Sequence, residues 1–205
     1  MKLIWAVSGR GMAARAVAEA QFAGLLTSKL DMVFFDKAAT TESMAAYCSR
    51  NQIPCKVIAP GRIEDELLEL QQSRRFDCMG LTFDRLISES VIRAFDGQIF
   101  NLHLSLLPQF PGFGAVRKAL AAGIPYTGVT VHYIDAGIDT GPIIAQAQVS
   151  IDASDTEASL GRRQFEAAVP LILQTVRLLE RGEHARFDLP DADLRQFAVD
   201  YCRQI

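Results

Sequence analysis

The segment FNLHLSLLPQFPG, residues 100–112, sets an amide, an imidazole and a hydroxyl at alternate positions: Asn101, His103 and Ser105. Apolar residues precede them and a Pro/Gly turn follows, which marks the carboxyl end of a buried strand. The two-residue period of a strand puts Asn101, His103 and Ser105 on one side. An asparagine amide donates two hydrogen bonds without carrying charge, and an imidazole takes or gives a proton near neutral pH. Together they can hold a developing oxyanion and manage a proton. Taken alone, the same residues also fit a turn cap and a satisfied core histidine.

Two other stretches carry residues suited to chemistry. In IDAGIDTGPII, residues 134–144, Asp135 and Asp139 flank Gly137, and Gly141 and Pro142 follow. A carboxylate from this loop beside an imidazole would raise its pKa and orient the ring; alone, the loop reads as a polar hairpin. In SGRG, residues 8–11, a glycine pair lies between a strand and a helix. Backbone amides at such a junction hold anions, though a tight turn has the same composition. The full dinucleotide fingerprint is missing, because Ala14 stands where its third glycine would be, and this disfavours a nucleotide-dependent dehydrogenase.

The elements that must position these residues alternate. Buried strands are predicted at 2–8, 30–36, 53–59, 76–82 and 98–103, with helices at 12–26, 40–52, 62–75 and 88–95 between them. The helix at 40–52 opens on a threonine cap. This alternation predicts an α/β, Rossmann-like, mainly parallel sheet with helices on both faces. Residues 127–135 and 141–151 then form two strands joined by one short loop, an antiparallel C-terminal pair. A long helix follows at 156–182, and the tail to Ile205 is weakly patterned. The carboxyl ends of the strands, where ligands bind in open α/β sheets, are where Asn101 and His103 fall.

Composition narrows the classes. The 205 residues suit one domain, with 49% hydrophobic and 22% charged residues. A net charge of −3 argues against a broad nucleic-acid footprint. No segment is long and apolar enough for a signal peptide or membrane helix. The four cysteines, Cys48, Cys55, Cys78 and Cys202, lack CxxC spacing, so reduced thiols in a cytoplasmic protein are expected rather than a disulfide framework or a zinc site.

These pieces, in this order, resemble the folate-dependent formyltransferases, above all the branch acting on phosphoribosylglycinamide in purine synthesis. VSGRG, GLTFDRLIS, FNLHLSLLPQFPG and TGVTVHYIDAGIDTGPIIAQ carry the likeness, which runs from residue 2 to about residue 182. The resemblance implies a catalytic domain at 1–182 and a C-terminal extension at 183–205 packed on it. It implies a catalytic trio of Asn101, His103 and Asp139, with protonated His103 and Asn101 holding the oxyanion and no metal required. It implies 10-formyltetrahydrofolate as co-substrate, its pterin against Phe83, Asp84, Arg85, Leu86 and Ile87 and against Asp135, Ala136, Gly137 and Ile138. The acceptor's phosphate is implied at Gly9, Arg10, Gly11 and Met12, with Thr82, Leu104 and Glu166 further along the acceptor wall.

Several positions depart from the family pattern. Met12 and Ala13 replace a serine and an asparagine, Leu104 replaces a proline, Thr82 replaces a glycine, and Asp84 takes an apolar place. Arg10, Arg62 and Arg163 are the cations that would compensate. The expected partners are folate and a small amine, with an amino sugar or another amine as the alternative acceptor. A non-catalytic folate-binding protein is the alternative of another class. No nucleic acid or membrane partner is expected, and the chain is read as a monomer or homodimer. The enzymes acting on methionyl-tRNA and on formyltetrahydrofolate itself are disfavoured, since each carries a further domain.

Overall fold

The structure is a computed structural model, and the residues it describes are 1–36, 42–183 and 189–205. Five parallel strands come first: β1 (Lys2–Val7), β2 (Lys29–Phe35), β3 (Cys55–Val57), β4 (Cys78–Thr82) and β5 (Ile99–His103). Then β6 (Tyr126–Tyr133) pairs antiparallel with β5, and β7 (Ile143–Ser150) antiparallel with β6. The spatial order is β3-β2-β1-β4-β5-β6-β7. This is the mainly parallel sheet with an antiparallel end that the hydrophobic runs predict.

Alternation within the strands explains why helices cover both faces. In β1, Leu3, Trp5 and Val7 point into one core while Ile4 and Ala6 point into the other. The first core is closed by α1 (Met12–Phe22), α2 (Glu42–Arg50), α6 (Glu157–Glu180) and α7 (Ala192–Gln204), the second by α3 (Ile63–Arg74) and α4 (Glu89–Ala94). Each large side chain fully buried in this way contributes about 1.5–3 kcal/mol. A capping box between Thr156 and Ser159 starts α6.

Two helices differ from the sequence reading. The short α5 (Ala115–Ala121) follows the Pro/Gly turn, where glycines at 112 and 114 obscure the periodicity. The weakly patterned tail contains α7, which packs on α6 and α1. Its charged and amide side chains interrupt an apolar stripe of Leu194, Ala198, Tyr201 and Cys202, so the stripe shows only once the helix is wound. The threonine cap expected ahead of α2 lies outside the described residues. No helix among the described residues is long and apolar enough to cross a membrane. All four cysteines are free.

Candidate active site

A cleft of about 810 Å³ opens at the carboxyl ends of β1, β4 and β5. It lies where the strand order reverses, since the chain leaves β1 towards β2 on one side while β4 pairs on the other. The glycine loop after β1 forms one wall, with Gly9, Arg10, Gly11, Met12 and Ala13 lining it. Gly11 has φ +71° and a Cβ there would come within 2.8 Å of Met44, so this position demands glycine. The Tyr201 hydroxyl donates to the Met12 carbonyl at 3.0 Å, so the tail helix braces the loop.

The second wall is the segment after β4. Thr82, Phe83, Asp84, Arg85, Leu86 and Ile87 all line the cleft. This segment is tied to the glycine loop, because the Asp84 amide donates to Ser8 Oγ at 2.8 Å and the Ser8 amide to the Thr82 carbonyl at 3.0 Å. Arg85 Nε is held 2.9 Å from buried Asp36 Oδ2. The Thr82 hydroxyl accepts from Trp5 Nε1 at 3.2 Å and is therefore turned into the sheet.

The floor is the end of β5 and the turn after it. Asn101, His103 and Leu104 line the cleft, whereas Ser105 does not. Fully buried Ser105 donates its hydroxyl to the Gln109 carbonyl, so its role is to shape the turn. Thr130 Oγ1 donates to the Ser105 carbonyl at 2.7 Å and accepts from the Leu107 amide at 3.1 Å and Gln146 Nε2 at 2.9 Å. One hydroxyl thus uses its donor and both acceptor lone pairs to fasten the turn. The turn returns a carbonyl to the site, with Phe110 O 2.9 Å from His103 Nε2. Because a carbonyl only accepts, Nε2 carries the proton.

Asp139 comes from the β6–β7 loop, in a left-handed conformation with φ +54°. Nearby, Gly141 passes so close to the Tyr133 carbonyl that a Cβ would lie 1.9 Å from its oxygen. Asp139 Oδ2 accepts from the Gly112 amide at 2.7 Å and faces His103 Nδ1 at 3.1 Å. Its other oxygen, Oδ1, lies 3.5 Å from His132 Nε2. These contacts, the His132 ring first and then the Gly112 amide and His103, hold the Asp139 carboxyl down at about 2. Asp139 is therefore ionised throughout the physiological range.

The His103 imidazole behaves differently from the sequence expectation. Burial lowers its pKa, and this outweighs the upward pull of Asp139 and the Phe110 carbonyl. The free protein thus holds a neutral imidazole beside an ionised carboxylate, a pair able to accept one proton.

Asn101, His103 and Asp139 converge in this cleft, joined by Ala136, Gly137 and Ile138. Asp135 lines it too, and its Oδ1 accepts from the Gly137 amide and the Thr140 hydroxyl, fixing the loop. Three candidates fall elsewhere. Glu166 pairs with Arg162 at 3.1 Å on the outer side of α6, while its neighbour Phe165 lines the cleft. A one-residue step along a helix turns a side chain by about 100°, which sequence matching cannot resolve here. Arg163 is bound to Asp155 and the Ser150 carbonyl, and Arg62 faces Asp65, Glu66 and Glu69.

His132 is a functional residue that carries no signal of its own in the sequence. It is fully buried, sits opposite Asn101 in the β5–β6 register, and places Nε2 3.4 Å from Asn101 Nδ2. The alternation in TGVTVHY puts His132 on one face with Thr130, but only the antiparallel pairing of β6 with β5 brings that face to Asn101. Among the described residues no group of three or more His, Cys, Asp or Glu side chains is arranged to hold a metal ion.

Comparison with known proteins follows the same outline. The family model described as Formyl transferase matches residues 1–176. Phosphoribosylglycinamide formyltransferase of Bacillus subtilis (strain 168) is 39% identical over 127 residues, which is 60% of this chain and 65% of the relative. The aligned stretch spans less than two thirds of that protein's own length. The crystal structure of glycinamide ribonucleotide transformylase 1 from Symbiobacterium toebii superposes with a TM-score of 0.84 at 28% identity, covering 93% of each chain. That of phosphoribosylglycinamide formyltransferase from Bacillus Halodurans gives 0.80 at 33% identity, covering 91% of this chain and 100% of the other. With its sheet, its cleft and these likenesses taken together, the chain belongs to the formyl transferase family.

Proposed function

We propose that this protein transfers the formyl group of 10-formyltetrahydrofolate to the amine of a small acceptor, with phosphoribosylglycinamide, a purine-pathway amine, the first choice. The observation that carries this reading is the meeting of an uncharged donor, a neutral imidazole and an ionised carboxylate in one cleft of a formyl transferase fold. The cleft also suits a folate. Its rim exposes Leu86, Phe113 and Ile138, an apolar lining for a flat ring system, beside the backbone of residues 83–87 and 135–138. Those two segments would hold the folate.

Bound there, the folate supplies an acyl carbon whose oxygen gains negative charge as the amine attacks. Asn101 offers an Nδ2–H to that oxygen, and such a donor is worth about 10²–10³ in rate. The proton released by the amine is taken up by the His103–Asp139 pair and held between Nδ1 and Asp139 Oδ2, because Nε2–H is already committed to Phe110. Asp139 stabilises the imidazolium so formed, and His103 then returns the proton to the leaving nitrogen. The acceptor's phosphate would meet the open amides at the start of α1 and Arg10.

A second reading, transfer to an unphosphorylated amine such as an amino sugar, is favoured by the acceptor wall. Arg85 and Arg117 in the cleft are engaged with Asp36 and Glu157, and Met12 and Ala13 offer no side-chain hydrogen bond. Formyl transfer assayed across a panel of amines, with Asn101→Ala as control, tests both readings. Folate binding without transfer to any amine would instead indicate a non-catalytic folate-binding protein.

A further inference from the structure

We propose that His132 is a positioning residue that fixes which way the Asn101 amide points, an inference that rests on the formyl-transfer reading above. His132 Nδ1 lies 2.9 Å from the Tyr133 carbonyl. A carbonyl only accepts, so Nδ1 carries the proton and Nε2 of the neutral ring presents a lone pair. Asn101 Nδ2, always a donor, faces that lone pair at 3.4 Å. The ring therefore selects one of the two amide orientations, with nitrogen towards His132, and leaves the second Nδ2–H for the substrate oxygen. If the amide were reversed, its carbonyl oxygen would face the lone pair of Nε2 and the arrangement would be repulsive.

The same Nε2 lies 3.5 Å from Asp139 Oδ1, so it stands between both groups that the reaction uses. A doubly protonated ring would donate to Asp139 and could no longer accept from Asn101. The two demands on Nε2 are exclusive: in acid, where Asp139 titrates, a protonated Nε2 serves the carboxylate, whereas the neutral ring with hydrogen on Nδ1 is the state that holds the oxyanion donor in place. The absence of exposure supports a role through neighbours: His132 is fully buried and does not line the cleft.

The first test needs no variant. Imidazole ¹⁵N NMR of the wild-type protein at neutral pH should report the Nδ1–H tautomer for His132; an Nε2–H tautomer overturns the proposal. The second test compares His132→Asn with His132→Gln. Asn retains a donor at the Nδ1 position and loses the acceptor near Asn101; Gln reaches the Nε2 position with its amide oxygen. We expect His132→Asn to lower kcat about 10²-fold, with the folate KM within about twofold and the melting temperature close to wild type. His132→Gln should recover at least about tenfold of that loss, which a packing role alone would not produce. Wild-type kcat in His132→Asn, or equal losses in both variants, contradicts the role. Failure of the wild-type protein to transfer formyl would instead defeat the underlying reading and leave the tautomer result to stand separately.

Discussion

Asp139 joins the glycine-rich turn, His103 and His132, so its ionisation should be visible in stability as well as in rate. Its folded-state pKa of about 2 lies below the ordinary value of 3.8, so the folded state holds this proton less readily than the unfolded chain. The stabilisation is therefore present above about pH 4 and is lost as the pH falls through 2. Urea unfolding of wild type and Asp139→Asn should differ by about 2 kcal/mol at pH 6, and the gap should begin to narrow below pH 4. His103 shifts downward for the opposite reason, burial of its charged form. If it acts as a neutral base, the ascending limb of kcat/KM lies below pH 6.5 and belongs to the free protein. A limb that instead falls across pH 6–7 would mean that the imidazolium is the working form.

At the scale of elements, the turn between β5 and α5 is what converts a strand end into a site. Thr130 fastens it through three hydrogen bonds, and the same turn presents the Phe110 carbonyl to His103 and the Gly112 amide to Asp139. Thr130→Val keeps the shape but leaves the Leu107 amide and the Ser105 carbonyl unpaired. We expect a loss of about 1–3 kcal/mol in unfolding free energy and a fall in kcat, because His103 loses its register. An unchanged kcat in a destabilised variant would separate the turn from the chemistry. These relations also show what a sequence can convey. Asn101 and His103 are legible from strand period and the β-α alternation from continuous apolar runs, whereas loop composition offers Asp135 and Asp139 alike and only the family resemblance singles out Asp139. Ser105, next in the two-residue period, leaves that side because the chain turns immediately after His103 and the period of two ends there. His132 and α7 were unread for a different reason: the first matters only through the β5–β6 register, and the second through a narrow stripe on a polar helix.

Across the whole molecule, the glycine loop, the segment after β4, the end of β5 and the β6–β7 loop meet because the strand order reverses beside β1. Ligand binding should therefore stabilise the fold as a unit. A stable folate analogue at about 100 times its Kd should add about 2.7 kcal/mol, or roughly 5–11 °C in Tm for a chain of this size. The same geometry makes Asn101→Ala informative, since it removes the donor that faces the substrate oxygen together with its contact to buried His132.

The most direct test of the account is tetrahydrofolate release from 10-formyltetrahydrofolate in the presence of phosphoribosylglycinamide and alternative amines, measured for wild type and Asn101→Ala under the same conditions. The account predicts amine-dependent release by the wild-type protein, with a formylated amine formed in equal amount, and a rate about 10²–10³ lower in the variant. Amine-independent release, or equal rates in the two proteins, would contradict it.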